Sequence, residues 1–185
     1  ADIEAQDVPG GFVTVFDVAL QNATGNPVSG ATVTVKNGTL GTVNLLETGT
    51  ATGDYRATVN SFPSGDFQLD VIRGTDKVEG VVVGGLAAHK ITAPAKNATV
   101  PANQQLTVSW DRPTEAAGAD LETRDYSASG LPDTGSHIIP ANQNPARTDQ
   151  RIRVWRYNQV AMAGGLAGSR LKLEVRNTVE PVVVQ

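Results

Sequence analysis

The chain has 185 residues, is 39% apolar and only 5% aromatic, and carries a formal net charge of −4. Because it contains no cysteine, disulfide frameworks, thiolate metal sites and a cysteine nucleophile are excluded. Residues 1–92 carry a charge of −5 and residues 93–185 a charge of +1, so neither half has the basic excess of a nucleic-acid-binding protein.

Short strand patterns alternate with turn signals through the first half of the chain. Residues 1–11 are polar, end in Pro-Gly-Gly and are predicted to be a lead-in. Residues 31–36 place alanine and valine on one face and threonine and lysine on the other, which is the period of a half-buried strand. Asn37-Gly38 follows and suits a tight hairpin turn. Strands are predicted at residues 12–20, 31–36, 42–46, 55–59, 67–72 and 78–83.

The second half repeats this organisation after a short joint at residues 87–94. Residues 141–150 are predicted to be a polar loop, and the glycine-rich residues 161–169 a hairpin tip. Strands are predicted at residues 91–94 and 98–101 (one split edge strand), 105–110, 121–128, 135–141, 150–158, 170–176 and 182–184. No segment of ten or more residues keeps the 3.6-residue period of a helix. The predicted fold class is therefore all-β, with two tandem antiparallel β-sandwiches at residues 12–86 and 95–185 and very little helix.

Three pieces of the first half carry a family likeness. They are Gly-Asn-Pro-Val-Ser-Gly-Ala-Thr-Val at residues 25–33, Gly-Asp-Tyr at 53–55 and Gly-Asp-Phe-Gln-Leu-Asp-Val at 65–71. With them, residues 12–84 resemble the carboxypeptidase-regulatory-like, transthyretin-related sandwiches and the related Cna-B repeats of bacterial surface proteins. Gly53 stands where the chain must reverse direction, and Tyr55 and Phe67 are predicted to be the large residues of an otherwise slim core.

A looser likeness covers the second half. Its elements are Ile-Thr-Ala-Pro at residues 91–94, Leu-Thr-Val-Ser-Trp at 106–110 and Arg-Ile-Arg-Val-Trp-Arg-Tyr-Asn at 151–158. Residues 91–185 resemble a fibronectin-type-III or related immunoglobulin-like domain, and this resemblance implies that Trp110 packs in the core. Families of both kinds serve as spacers, adhesion modules or accessory domains of exported bacterial proteins, which is what the two resemblances imply here.

The sequence offers few groups for catalysis. The only histidines are His89, in the joint, and His137, which follows Ser136. Neighbours along a strand point to opposite faces, so Ser136 and His137 cannot act together as nucleophile and base. We predict two surface histidines, no enzymatic activity, no cofactor and no bound metal.

Five acidic residues crowd one stretch of the second half. Carboxylates together with loop carbonyl groups could hold calcium, although a solvated polar loop is the simpler interpretation. The residues are Asp111, Glu115, Asp120, Glu122 and Asp125.

One candidate binding surface is predicted on the outer face of two strands, at residues 150–158 and 170–176. On the first strand, isoleucine and valine point inward, so arginine and aromatic side chains share the outer face. The second strand is expected to pair with it and to add cations. The candidate surface consists of Arg151, Arg153, Trp155, Tyr157 and Lys172.

Two interpretations of this surface remain open. The guanidinium groups could stack over the tryptophan and tyrosine rings as a structural ladder, at about 0.5–1 kcal/mol per exposed contact. Alternatively, the surface could bind an acidic partner, a glycan or a neighbouring subunit, because tryptophan, tyrosine and arginine are enriched in interface hot spots.

These observations predict a non-catalytic structural or adhesive module of an exported bacterial protein, either periplasmic, at the cell surface as a lipoprotein, or secreted. The first alternative is an accessory, carbohydrate-binding part of a secreted hydrolase, and the second is a calcium-dependent adhesin. The expected partner is a protein or a cell-surface glycan rather than a nucleic acid. No segment approaches the ~20 apolar residues of a membrane-spanning helix.

Overall fold

The computed structural model describes all 185 residues. Fifteen strands and no helix make up its regular structure, which confirms the predicted all-β fold class. The strands are β1 (Asp2–Val8), β2 (Gly11–Ala19), β3 (Thr32–Asn37), β4 (Gly41–Glu47), β5 (Asp54–Val59), β6 (Phe67–Arg73), β7 (Asp76–Val83), β8 (Ile91–Ala93), β9 (Thr99–Val100), β10 (Leu106–Trp110), β11 (Gly118–Thr123), β12 (Ser127–Leu131), β13 (Ser136–Ile139), β14 (Arg147–Ala161) and β15 (Arg170–Val184). No helix is available that could cross a membrane.

The chain divides into two compact units that are not consecutive in sequence. Unit 1 comprises Ala1–Leu86 and Asn158–Glu174, and unit 2 comprises Ala87–Tyr157 and Val175–Gln185. This division differs from the predicted one, which gave the whole of residues 95–185 to the second sandwich. The reason is the length of β14 and β15, which have 15 residues each. Each of these strands contributes one part to unit 1 and the other part to unit 2.

Unit 1 is an antiparallel β-sandwich whose two sheets share one strand. The first sheet has the order β15, β1, β2, β5 and β4, and the second has the order β4, β3, β6 and β7. The early residues of β4 pair with β3, for example Val43 with Val35, whereas Leu46 and Glu47 pair with β5. Strand β4 therefore forms the corner at which the chain passes from one sheet to the other.

The first residues of the chain form a strand where the sequence predicted a lead-in. Ile3 and Ala5 are 1% and 0% exposed and lie in register with Phe16 and Thr14 of β2. The sequence signal was weak because alanine carries little apolar surface, so that Ile3 is the only large apolar residue between residues 1 and 7.

The aromatic residues that the sequence predicts for the core of unit 1 are buried there. Tyr55 and Phe67 are 2% and 0% exposed, and the ring of Phe67 lies 6.2 Å from that of Phe16. The Tyr55 hydroxyl accepts a hydrogen bond from the Ala31 amide (2.9 Å) and donates one to the Val28 carbonyl (3.2 Å). The buried phenol therefore satisfies its polar end and fixes the turn before β3.

Gly53 occupies a position that only glycine can fill. Its φ angle is 68°, and a Cβ atom there would lie 2.7 Å from the Leu20 carbonyl oxygen and 2.8 Å from the Val28 amide nitrogen. We expect Gly53→Ala to lower the free energy of unfolding by about 1–3 kcal/mol, because strain and a backbone clash add together. Urea denaturation measures the change. Gly38→Ala, where a Cβ atom meets nothing within 4 Å, is the matched control and should change stability by less than about 1 kcal/mol.

Unit 2 is a second β-sandwich. One sheet has the order β12, β11, β14 and β15, with β9 pairing in parallel to β15, and the other has the order β13, β10 and β8. Its core includes Leu121, Val154 and Trp110, and Trp110 is 4% exposed. The implied core position of Trp110 is thus confirmed.

Two local predictions in unit 2 were wrong. Residues 121–128, predicted to be one weak strand, belong to a hairpin of β11 and β12, because the Thr123 hydroxyl accepts hydrogen bonds from the Asp125 (3.2 Å) and Tyr126 (3.0 Å) amides and fixes a turn. Residues 147–149, predicted to be loop, are the start of β14. Their polar side chains gave no alternation from which a strand could be recognised.

Candidate interaction surface

Three residues of the predicted surface lie side by side on β14 in unit 2. Ile152 and Val154 are fully buried, while Arg151, Arg153 and Trp155 alternate with them and are half-buried. Strand β11 lies on one side, with Glu122 in register with Arg153, and β15 lies on the other. We call Arg151, Arg153, Trp155, Glu122 and Arg176 the arginine face.

Two guanidinium groups of the arginine face share one carboxylate. The Glu122 Oε1 atom lies 2.9 Å from Nη2 of Arg151 and 3.5 Å from Nη1 of Arg153. The Nε atoms of both arginines are buried and form no hydrogen bond. One negative charge therefore serves two positive charges, and part of the hydrogen-bonding capacity of both arginines is unused.

The surroundings of Arg153 lower the pKa of its guanidinium group. Burial is the main cause that lowers this pKa from its ordinary value, and repulsion by Arg151 and Arg176 lowers it further. Glu122 and Glu180 oppose the shift but do not cancel it. The arginine face is thus partly desolvated, and its guanidinium groups lie close enough to repel one another.

The two remaining predicted residues are Tyr157, which continues the same strand in unit 2, and Lys172, which lies in unit 1. Tyr157 pairs in register with Gly118 of β11, and a Cβ atom on Gly118 would clash with the Tyr157 ring, so the ring covers this glycine. Lys172 belongs to unit 1, where it forms an ion pair with Glu174. The structure therefore brings together three of the five predicted residues in unit 2, places Tyr157 next to them along β14, and assigns Lys172 to the other unit.

The acidic stretch is not gathered into a metal site. Asp111 accepts a hydrogen bond from the Lys90 amide (2.6 Å), and Asp120 accepts one from the Gly130 amide (2.7 Å). Asp125 forms an ion pair of 2.7 Å with Arg147, and Glu122 belongs to the arginine face. No three acidic or histidine side chains converge as metal ligands. These acids instead fix loops and strand ends.

A buried ionic cluster was missed by the sequence analysis. Arg156 is fully buried in unit 2, and its Nη2 and Nε atoms lie 2.6 Å and 3.0 Å from Oδ2 of Asp133. The Trp110 indole donates a hydrogen bond of 2.9 Å to Oδ1 of the same carboxylate, and Arg156 also donates to the Thr114 carbonyl. Burial opposes ionisation of Asp133, but the hydrogen bonds from Arg156 and Trp110 together hold its pKa below the usual range.

Alternation along β14 could have revealed Arg156, because it shares the inward face with Ile152 and Val154. Its partner could not have been recognised from the sequence. Asp133 lies in the loop between β12 and β13 and is separated from Arg156 by 23 residues along the chain.

His89 is buried, so the prediction of two surface histidines was wrong for this residue. The side chain is 2% exposed, and neither ring nitrogen forms a hydrogen bond of standard geometry. Burial lowers its pKa from 6.5 to about 4, and the charge of Arg156 adds to the effect, while Asp111, a weak contact with the Val154 backbone and Asp133 oppose it. His137 is half-buried and its Nε2 atom lies 2.8 Å from the Tyr126 hydroxyl.

We expect His89 to make the protein sensitive to mild acid. Because its pKa is about 4 in the folded protein and ~6.5 in the unfolded chain, protons bind the unfolded chain more strongly. The histidine term in the unfolding free energy is therefore complete above pH 6.5 and is lost as the pH falls toward 4, by up to about 3 kcal/mol. His89→Leu should flatten stability over this window in urea titrations. An unchanged pH dependence in the variant would contradict the prediction.

Comparison with known proteins does not identify a family for this chain. No protein-family model and no curated protein matches the chain. Fourteen chains of solved structures match it. One of them, titled as fibronectin(III)-like modules of CbhA from Clostridium thermocellum, is 15% identical, with 94% of this chain and 87% of that chain covered and a TM-score of 0.32. Beyond the β-sandwich architecture, the resemblances of residues 12–84 and 91–185 stay predictions.

Proposed function

We propose that this chain is a non-catalytic β-sandwich module that binds an acidic segment of a partner protein through the arginine face of unit 2. The proposal assigns the binding contacts to Arg151, Arg153 and Trp155. It favours adhesion or interaction over a purely structural role.

The sharing of Glu122 by two arginines is the observation that carries this proposal. A sheet face built only for stability would match each buried cation with an anion, because a desolvated charge is costly unless it is paired. Elsewhere in unit 2, Arg147 (3.0 Å) and Arg124 (3.5 Å) also share one carboxylate, that of Asp149. There, however, each arginine has a second carboxylate, Asp125 for Arg147 (2.7 Å) and Glu180 for Arg124 (2.5 Å). At the arginine face, a carboxylate from a partner would supply the missing negative charge and form paired hydrogen bonds with the guanidinium groups.

The chemistry of the neighbouring side chain favours a protein partner. Trp155 lies two residues beyond Arg153 on the same face of β14 and is half-buried, so it offers a fixed apolar surface beside the cations. Tryptophan and arginine together are characteristic of the few residues that dominate protein–protein binding energy.

Binding of a glutamate-rich peptide, measured by fluorescence anisotropy in low salt, tests the proposal. We expect Arg151→Gln with Arg153→Gln to weaken binding at least tenfold, because two charge-assisted contacts are lost. Binding should also weaken as salt is added. Arg56→Gln, an exposed arginine of unit 1, is the matched control and should bind as the unmodified chain does.

Two results would count against the proposal. Equal binding by the double variant and the control would place the contact elsewhere. Preference for a sulfated polysaccharide over the peptide would favour the carbohydrate-binding alternative, in which the chain is an accessory part of a secreted hydrolase. Thermal unfolding of both variants separates loss of binding from loss of the fold.

Export of this module, whether to the periplasm, the cell surface or the medium, is part of the proposed function. It is supported by the two resemblances, of residues 12–84 and of residues 91–185. No specific observation favours the calcium-dependent alternative, because Asp111 and Asp120 accept hydrogen bonds from amides and Glu122 and Asp125 pair with arginines.

A further inference from the structure

Unit 1 contains a cavity of about 590 Å³ at one end of its sandwich. Val18 and Leu69, which are 4% and 0% exposed, belong to the core and line it from opposite sheets. Val71 of β6, Met162 and Leu166 add further apolar surface. This volume is within the ~300–1,000 Å³ typical of small-molecule sites, which are mostly apolar with a few polar groups.

The cavity exists because the core of unit 1 changes in size along its length. Phe16 and Phe67 face each other at 6.2 Å and fill the space between the sheets. Further along the same two strands, β2 and β6 carry Val18, Leu69 and Val71 in their place. These smaller side chains leave the end of the sandwich unfilled and open to solvent.

The loop between β14 and β15 forms one wall of the cavity and is internally ordered. The Met162 amide donates to the Ser169 carbonyl (3.0 Å), the Gly165 amide to the Met162 carbonyl (3.1 Å) and the Ser169 amide to the Leu166 carbonyl (3.0 Å). The wall is thus preformed, which reduces the entropy that a ligand must overcome on binding.

The charges around the cavity differ from those of the rest of unit 1. The unit contains six arginine and lysine residues and eleven acidic residues. Three of the six cations line the cavity, namely Arg73, Lys77 and Arg170, but only two of the eleven acids do, Asp2 and Asp76. Of the cations, Lys77 is paired with Glu79 at 2.7 Å. The charged residues that line the cavity therefore carry a net charge of +1, in a unit whose own net charge is −5.

We propose that this cavity binds a linear aliphatic carboxylate, with the hydrocarbon chain between the two sheets and the carboxylate against Arg73 and Arg170. The apolar walls from both sheets suit an alkyl chain, since each buried methylene contributes about 0.8 kcal/mol. The cationic rim discriminates in favour of an anionic head group, because arginine pairs well with carboxylates.

Methyl NMR of the intact chain tests this proposal, because the sequence contains a single methionine and that residue, Met162, lines the cavity. Titration with laurate is expected to shift the Met162 methyl signal with saturation at one ligand per chain. Lauryl alcohol should bind at least tenfold more weakly, and acetate should leave the signal unchanged.

Two variants and their controls sharpen the test. Val71→Phe fills the cavity and should abolish laurate binding, whereas Val82→Phe, at an exposed position outside the cavity, should not. Arg73→Gln with Arg170→Gln should weaken laurate at least fivefold and leave lauryl alcohol unchanged, with Arg56→Gln as the control. An unmoved Met162 signal overturns the proposal, as does equal affinity for laurate and its alcohol. Should Val71→Phe fail to fold, the methyl titration and the arginine variants still decide.

Discussion

A chain that ends at Leu86 is expected to be unfolded, although it contains the lead-in and all six strands that the sequence predicts for the first sandwich. Unit 1 also requires residues 158–174, which supply Leu171 and Leu173, both fully buried. Their strand is tied to the start of the chain, since the Lys172 amide donates to the Ala1 carbonyl at 3.0 Å. Loss of a large buried aliphatic side chain costs about 2–5 kcal/mol, so the loss of two approaches the whole stability of a domain, about 5–15 kcal/mol.

Circular dichroism and amide NMR of residues 1–86 measure this outcome. Addition of a synthetic peptide of residues 158–174 should restore dispersed amide signals, because it returns the missing strand. A peptide with Leu171→Asp and Leu173→Asp is the matched control and should fail to restore them. A cooperatively folded fragment of residues 1–86 alone would contradict the assignment of residues 158–174 to unit 1.

The second large effect is expected from Asp133→Ala in the buried cluster of unit 2. Removal of this carboxylate leaves the fully buried Arg156 without its anion and the Trp110 indole without its acceptor. Breaking a buried ion pair by the loss of one partner costs about 3–5 kcal/mol, because the remaining charge is uncompensated. The free energy of unfolding, measured by urea denaturation, should fall by that amount.

Two further variants distinguish the cost of breaking the buried ion pair from the cost of removing an acidic side chain in general. Asp149→Ala removes an acid that is 60% exposed and paired with Arg147, and it should cost no more than about 1 kcal/mol. Arg156→Met with Asp133→Asn removes both charges while it keeps an acceptor for Trp110, so it should recover much of the lost stability. A double variant less stable than Asp133→Ala would show that the pair stabilises the fold beyond the cost of its burial.

Alternation of apolar and polar residues was enough to predict the fold class and most strands. The prediction worked where inward residues are large, as in β6, where Phe67 and Leu69 are fully buried. It missed β1, whose inward residues include Ala5, because a methyl group contributes little to a hydrophobic pattern. The prediction also missed the strand at residues 147–149, whose side chains are polar. Whether such residues form a strand depends on pairing with neighbouring strands in the sheet, which the local sequence does not show.

Part of the candidate surface could be predicted from the alternation of side chains along β14. The period of two along β14 placed Arg151, Arg153 and Trp155 on one face, and the burial of the residues between them agrees with this. Which strand lies next to them is a matter of sheet order, so the sequence could not reveal that Glu122 of β11 would sit between the two arginines. It also could not reveal that Lys172 belongs to unit 1.

A titration of the indole N–H signals tests the proposed function most directly, because the chain has two tryptophans with opposite surroundings. Trp110 is buried and bonded to Asp133, whereas Trp155 lies on the arginine face. On addition of a glutamate-rich peptide, the Trp155 signal should shift to saturation while the Trp110 signal stays in place, and the shift should be lost with Arg151→Gln and Arg153→Gln. A Trp155 signal that does not move, or that moves equally in the double variant, would contradict binding at the arginine face.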